Sequence, residues 1–368
     1  MPLVPPHIES LHPYEPGRSI EEVRKTYGLE RVAKLGSNEN QLGPSPLAIE
    51  AIARSLGNVN YYPNGGLDLR ERLAERFKVK VGNVIAGCGS DGIMSVIIRT
   101  FLCDDDEVLT TDAAFIGFQV SARARGVKYS TVPYRNWHYD LPALAAAVDE
   151  KTKIIYLANP NNPTGTIFSR EEFDEFYAQV PQRVLIIMDE AYFEYAKANP
   201  QYPDSMHYRY DNVITLRTFS KIYGLAGLRV GYGFAHEELI ANLLKVKLTF
   251  EPGVLAQIGA VAALEDVEFV NRSLESNARG RAMIAAGMRE MGFEVVPSEA
   301  NFVMVPLGSA ETAKWLTEEL VRRGVIVRPL GAFGIPHAIR ISTGTDEDHR
   351  MLLDALKQLH LKEILCRS

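Results

Sequence analysis

Between residues 83 and 234 the chain alternates two patterns. Short apolar runs at 83–86, 107–111, 127–132, 153–158, 183–188, 212–216 and 228–234 have strand length and are bounded by turn residues. Amphipathic stretches at 93–102, 141–148 and 169–179 lie between them with helical spacing. Near-continuous apolar strands alternating with helices predict an α/β fold, a mostly parallel seven-stranded sheet covered on both faces. Ligands in such folds sit beyond the carboxyl ends of the strands. The stretch 253–291 contains no proline and reads as one long helix. After it come strand patterns at 293–296, 302–305, 325–328 and 338–342, with helices at 310–323 and from 346, which predict a smaller α+β domain. The opening residues are rich in Pro, Gly and Asn and read as an extended arm over this domain or a partner subunit. The expected division is 1–45 for the arm and part of the small domain, 46–255 for the large domain, and 256–368 for the small C-terminal domain.

Composition narrows the function classes. With 368 residues, 46% of them hydrophobic, the chain can bury a large core and a second, smaller one. Net charge is −6, and the 40 basic residues form no run or tail, which argues against nucleic acid or an anionic membrane as partner. The three cysteines, Cys88, Cys103 and Cys366, have no Cys-x-x-Cys spacing and fit a reducing, cytoplasmic setting. The eight histidines form no metal-binding string, so no metal is expected. The first ten residues lack the apolar core of a signal peptide, and no apolar run reaches membrane-spanning length.

Four strings fall at the ends of predicted strands. Gly87-Cys88-Gly89-Ser90-Asp91-Gly92 opens a helix, and Asp112 follows about twenty residues on, as a dinucleotide-binding unit would require. The same turn serves any phosphate, because free N–H groups and the positive helix end face the anion. It also serves as a plain strand-to-helix turn capped by Ser90 or Asp91. Asn159-Pro160-Asn161-Asn162-Pro163-Thr164-Gly165 fixes an irregular loop from which asparagine amides can reach a site, although Asn-Pro and Thr-Gly are common loop punctuation. Asp189-Glu190-Ala191-Tyr192 puts a carboxylate at a buried strand end, which is costly unless paired. A pyridinium N–H would pair it and Tyr192 could donate to the same ring's phenolic oxygen; a helix-capping aspartate is the simpler reading. Finally, Lys221 has small and hydroxylated neighbours in Thr218-Phe219-Ser220-Lys221, with Arg229 eight positions on. That setting suits an amine forming a Schiff base beside a phosphate-bearing cofactor, where most lysines are merely solvated. All four in order, each at a strand end, are hard to explain separately. A nicotinamide enzyme would leave Lys221 and Asp189 without linked roles.

Further strings extend the pattern: Pro13-Tyr14-Glu15-Pro16-Gly17-Arg18, Leu35-Gly36-Ser37-Asn38-Glu39-Asn40, Leu42-Gly43-Pro44-Ser45-Pro46, Tyr62-Pro63 and Arg340-Ile341-Ser342-Thr343-Gly344. With them the chain resembles, nearly end to end, the class II, fold-type I pyridoxal-phosphate aminotransferases, and within these the histidinol-phosphate aminotransferase family. The resemblance implies pyridoxal 5'-phosphate as cofactor, with Lys221 as Schiff-base lysine and proton shuttle. It places Asp189 on the pyridine nitrogen, Asn162 and Tyr192 on the phenolic oxygen, and Phe115 stacked on the ring. Ser90, Asp91 through its backbone, Ser220 and Arg229 would hold the phosphate, with Tyr62 from the other subunit of a homodimer. Arg340 and Arg328 would grip the substrate's anionic group, and Tyr14 would close over it. Gly92, Ala113-Ala114, Tyr61 and Asn64-Gly65 depart from the family pattern, and these bear on substrate choice rather than reaction class. The reaction implied is transfer of an amino group from L-histidinol phosphate to 2-oxoglutarate. An aromatic amino-acid aminotransferase is the closest rival, and a phosphoamino-acid decarboxylase a further one. A cofactor-sensing regulator would need a DNA-binding module for which the chain has no basic helix.

Overall fold

The computed structural model describes residues 3–11, 17–209 and 212–359, so Tyr14 and Cys366 lie outside the described residues. In chain order, β1 (Ala33–Lys34) is followed by the seven apolar runs, which form β2 (Val84–Gly87), β3 (Glu107–Thr111), β4 (Lys128–Val132), β5 (Thr152–Ala158), β6 (Leu185–Asp189), β7 (Val213–Thr218) and β8 (Gly231–Phe234). Then come β9 (Phe302–Pro306), β10 (Val325–Ile326), β11 (Arg328–Pro329) and β12 (Ala338–Ser342).

The large sheet has seven strands in the order β2-β8-β7-β6-β5-β3-β4. Only β8 runs against its neighbours, antiparallel to both β2 and β7. Period-two alternation divides each central strand between two cores. Ile154, Tyr156 and Ile187 face the layer holding Ile93, Ile97 and Phe118. Ile155, Leu157, Ile186 and Met188 face the layer holding Phe173 and Phe176. β5 and β6 are therefore apolar on both sides, whereas β7 carries Thr215 and Arg217 on one side.

The second unit packs helix Ala310–Arg322 on the antiparallel sheet β11-β12-β9 and helix Asp346–Gln358 against β1 and β10. The expected strand at 325–328 is two pieces with different partners: β10 pairs with β1 and β11 with β12. At 293–296 there is only a single bridge, Val296 to Met304. Pro297 follows and has no N–H with which to continue a ladder.

Two other expectations need correction. The opening segment is not an extended arm throughout, since residues 20–27 form helix Ile20–Tyr27 and β1 joins the small unit. Ser19 and Glu22 make a reciprocal capping box, and Val23 is buried with Val32, Val321 and Ile326. The stretch 253–291 is two helices, Val254–Glu265 and Val267–Glu290. They break at Asp266, whose carboxylate accepts from Phe269 N to start the second helix and from Ser45 Oγ (2.6 Å) and Leu47 N. One side chain thus caps a helix and fastens the start of helix Pro46–Ser55. Among the described residues no helix is long and apolar enough to cross a membrane.

Replacing Asp266 with Ala removes a cap and leaves the buried Ser45 hydroxyl without its acceptor. Urea denaturation of the variant should show a loss of about 1–3 kcal/mol; an unchanged midpoint would show that the break has another cause.

Candidate active site

Because β8 reverses, its beginning lies at the same sheet edge as the carboxyl ends of β2, β3, β5, β6 and β7. The four motifs meet there. Ser90, Asp91, Phe115, Asn162, Asp189, Tyr192, Ser220, Lys221 and Arg229 line one cavity of about 230 Å³. Tyr62 is not among its lining residues; it is 80% exposed and stacks on Phe250 with ring centroids 4.2 Å apart. Tyr14 is not among the described residues.

At one end lies an anion cradle. Helix Gly89–Phe101 begins with Gly89, Ser90 and Asp91, and its positive end faces the cavity. Gly89 has φ +75°, and a Cβ there would come within 2.8 Å of Arg229 Nη2. Gly231 permits the close passage of β8, since its Cβ would be 2.6 Å from Ser90 N. Arg229 reaches Ser220 Oγ at 3.4 Å and Asp91 Oδ2 at 3.3 Å. The Asp91 side chain is thus engaged with the arginine, leaving its backbone for any anion.

At the other end Asp189 closes β6, buried. Its Oδ2 accepts from Tyr156 Oη at 2.6 Å and its Oδ1 from Ala191 N at 3.2 Å. Neither donor is a cation. Burial raises the carboxyl to about 6, and the two hydrogen bonds only partly offset it. The adjacent Glu190 points the other way, bonded to Arg217 Nε at 2.9 Å and to Ser205 N. Arg217 is fully buried, also holds Asp204, and lies 3.3 Å from the Phe193 ring centroid. This ion pair anchors the turn from which Asp189 and Tyr192 project.

Lys221 forms no hydrogen bond or ion pair with the described residues, and its Nζ stands 5.7 Å from the Tyr192 ring centroid. Tyr192 Oη accepts from Asn38 Nδ2 at 2.8 Å. Phe115 precedes helix Ile116–Arg125 and lies against Gly117, where a Cβ would meet its ring at 2.7 Å. Arg340 does not line the cavity directly; its Nη1 donates to Asn162 Oδ1 at 2.5 Å, leaving the Asn162 amide nitrogen for the cavity, and its Nη2 donates to Gly36 O. Arg328 stands opposite Arg340 in the β11–β12 register, on the same face.

Sequence reading missed Tyr156 and Asn38. Tyr156 sits inside an apolar run, and the only clue was that a buried tyrosine hydroxyl needs a partner. Asn38 stands within the string Leu35-Gly36-Ser37-Asn38-Glu39-Asn40, and nothing in that string marks its task.

A mixed α/β sheet with an amine, an isolated carboxylate and an anion cradle at its strand ends is the framework of an aminotransferase. The model of the family Aminotransferase class I and II matches residues 30–356, and the chain belongs to that family. Within it, the chain is 42% identical to the histidinol-phosphate aminotransferase of Anaeromyxobacter sp. (strain Fw109-5), over 98% of this chain and 99% of that one. It is also 42% identical to that of Akkermansia muciniphila, over 96% and 97%. Among solved structures, the histidinol-phosphate aminotransferase of Sinorhizobium meliloti in complex with pyridoxal-5'-phosphate superposes with a TM-score of 0.89 at 30% identity, covering 100% of this chain and 98% of that one.

Asp189 holds its proton more tightly in the folded chain than in the unfolded one. Its contribution to stability is complete below the unfolded value of 3.8 and is lost as pH rises through about 6. In cofactor-free protein, Asp189→Asn should therefore stabilise by about 2–3 kcal/mol at pH 8 and change little at pH 4. Thermal melts at both pH values check this, and equal effects at the two would refute it.

Proposed function

We propose that the chain is a pyridoxal-phosphate-dependent aminotransferase that moves the amino group of L-histidinol phosphate to 2-oxoglutarate, giving imidazole acetol phosphate and L-glutamate in histidine biosynthesis. The observation that carries this reading is the cavity itself: an amine in no hydrogen bond or ion pair among the described residues, a buried carboxylate whose hydrogen-bond donors are not cations, and an anion cradle, together in one cleft. Each group matches one part of the cofactor, namely its aldehyde, its ring nitrogen and its phosphate. When bound, pyridoxal phosphate supplies an aldehyde that condenses with amines and a protonated ring that accepts electrons from the substrate Cα.

The chain's residues then take separate tasks. Asp189 faces the ring nitrogen as a carboxylate and keeps it protonated, which relieves the cost of its own burial. Asn162 and Tyr192 face the phenolic oxygen, and Phe115 covers one face of the ring. Ser90, the Asp91 backbone, Ser220 and Arg229 hold the phosphate. The Lys221 Nζ takes the proton from the substrate Cα and later returns one. Arg340 and Arg328 bind the anionic end of the substrate, the phosphate of the donor in one half-reaction and a carboxylate of the acceptor in the other. Tyr14 would close over that end.

A homodimer with shared sites fits the surface. Leu56, Val59, Tyr61, Tyr62, Leu248 and Phe250 are all exposed apolar side chains, and Tyr62 would serve the second subunit's phosphate. A cytoplasmic location accords with the free thiols of Cys88 and Cys103.

Lys221→Ala should lower turnover by a factor on the order of 10²–10⁴ or more; near-normal turnover would overturn the reaction class. In single-turnover conversion of the bound cofactor to its amine form, histidinol phosphate should react faster than phenylalanine or tyrosine. Preference for an aromatic amino acid would overturn the donor and keep the class.

A further inference from the structure

We infer that Asn38 is a positioning residue that sets the direction in which the Tyr192 hydroxyl donates, and that couples this direction to the strand carrying Arg340. The inference deepens the proposed function, because it rests on Tyr192 donating to the cofactor's phenolic oxygen.

The argument follows protons one at a time. Asn38 is buried, 1% exposed, with φ +57°. Its backbone N–H donates to Ser342 Oγ at 2.9 Å. A backbone N–H can only donate, so Ser342 Oγ accepts there and its single proton must go elsewhere. The acceptor it reaches is Asn38 Oδ1, at 2.7 Å. That bond fixes which end of the Asn38 amide faces Ser342, and turns Nδ2 toward Tyr192 Oη at 2.8 Å. An amide nitrogen can only donate, so Tyr192 Oη accepts, and its own proton is directed away from Asn38, toward the cavity that Tyr192 lines. Turning the amide over would put two donors on Ser342 Oγ and leave the proton of a fully buried hydroxyl without an acceptor.

The backbone conformation is part of the device. The left-handed φ aims the N–H and the side-chain oxygen of one residue at the same serine, and asparagine is among the few side chains that tolerate it. The remaining polar group of Asn38, its carbonyl, accepts from Asn301 Nδ2 at 3.0 Å. All four of its polar groups are therefore used, which leaves the amide one orientation. Ser342 lies two residues beyond Arg340 on β12, so both side chains stand on one face of that strand. The strand that carries Arg340 is thus tied to Tyr192 through a single asparagine.

The test reads the cofactor rather than turnover. The pH midpoint of the bound cofactor's visible absorbance is measured in holoenzyme for the parent, Tyr192→Phe, Asn38→Asp, Ser342→Ala and the double variant N38D/Y192F. A donor at the phenolic oxygen favours the more negatively charged form, so its loss raises the midpoint. In N38D the new carboxylate accepts from both Ser342 and Tyr192 and draws the tyrosine proton out of the cavity. The midpoint should rise by about one pH unit, a tenfold change, in Y192F and in N38D alike. The double variant should rise by clearly less than the sum of the two single shifts, any excess over Y192F being the effect of the new charge alone. S342A, which adds no charge and frees the amide to turn, should rise by a smaller amount.

A moved midpoint in Y192F with none in N38D, or additive shifts in the double variant, would overturn the Asn38 role and leave the Tyr192 role standing. An unmoved midpoint in Y192F would remove the Tyr192 role and this inference with it. If N38D does not fold, S342A decides: no shift there overturns the inference.

Discussion

The centre of this molecule is a carboxylate that has been taken out of water and that forms no ion pair with the described residues. Asp189 ends a strand with apolar residues on both faces, and among the described residues the protons offered to it are those of Tyr156 and of Ala191. A carboxyl so placed holds its proton unusually well, and that cost is borne by the surrounding fold. A cation meeting the carboxylate would offset that cost. The fully buried Arg217 beneath the turn cannot serve, because Glu190 and Asp204 already claim it. Two acids adjacent in sequence are thereby separated in task, one structural and one facing the cleft.

The sheet topology turns this local constraint into a site. Parallel strands carry their loops to one edge, and a single antiparallel strand brings Arg229 to the same edge from the opposite direction. Neither the anion cradle nor the amine needs a long loop. Both begin within a few residues of strand ends that are held by ladder hydrogen bonds and buried on two sides, so their positions inherit the rigidity of the core.

Much of this was readable from residue order, and the reasons are physical. The central strands are buried on both faces, so they appear as continuous apolar runs that cannot be confused with solvated segments. The motif residues stand at their ends, where the chain leaves the two packed faces of the sheet. What could not be read depends on partners distant in the chain. The helix break at Asp266 is held by Ser45, 221 positions away, and the orientation of Asn38 by Ser342, 304 positions away. Tyr156 was hidden because, within an apolar run, a tyrosine with a bonded hydroxyl looks like another core side chain. The helix Ile20–Tyr27 was masked by the prolines and glycines around it, although its capping pair Ser19 and Glu22 was present in the sequence.

The pairing of Thr218 with Gly231 joins β7 to β8 at the point where the two strands meet the cleft. Between those paired residues the chain makes a compact excursion, closed by bonds from Leu225 N to Phe219 O, from Gly224 N to Lys221 O and from Phe219 N to Val230 O. Lys221 leaves near its start and Arg229 returns near its end, so the spacing of amine and anion seat is gauged like the jaws of a caliper. Insertions and deletions that relatives accumulate should be found outside this segment, because a single added residue would open the jaws.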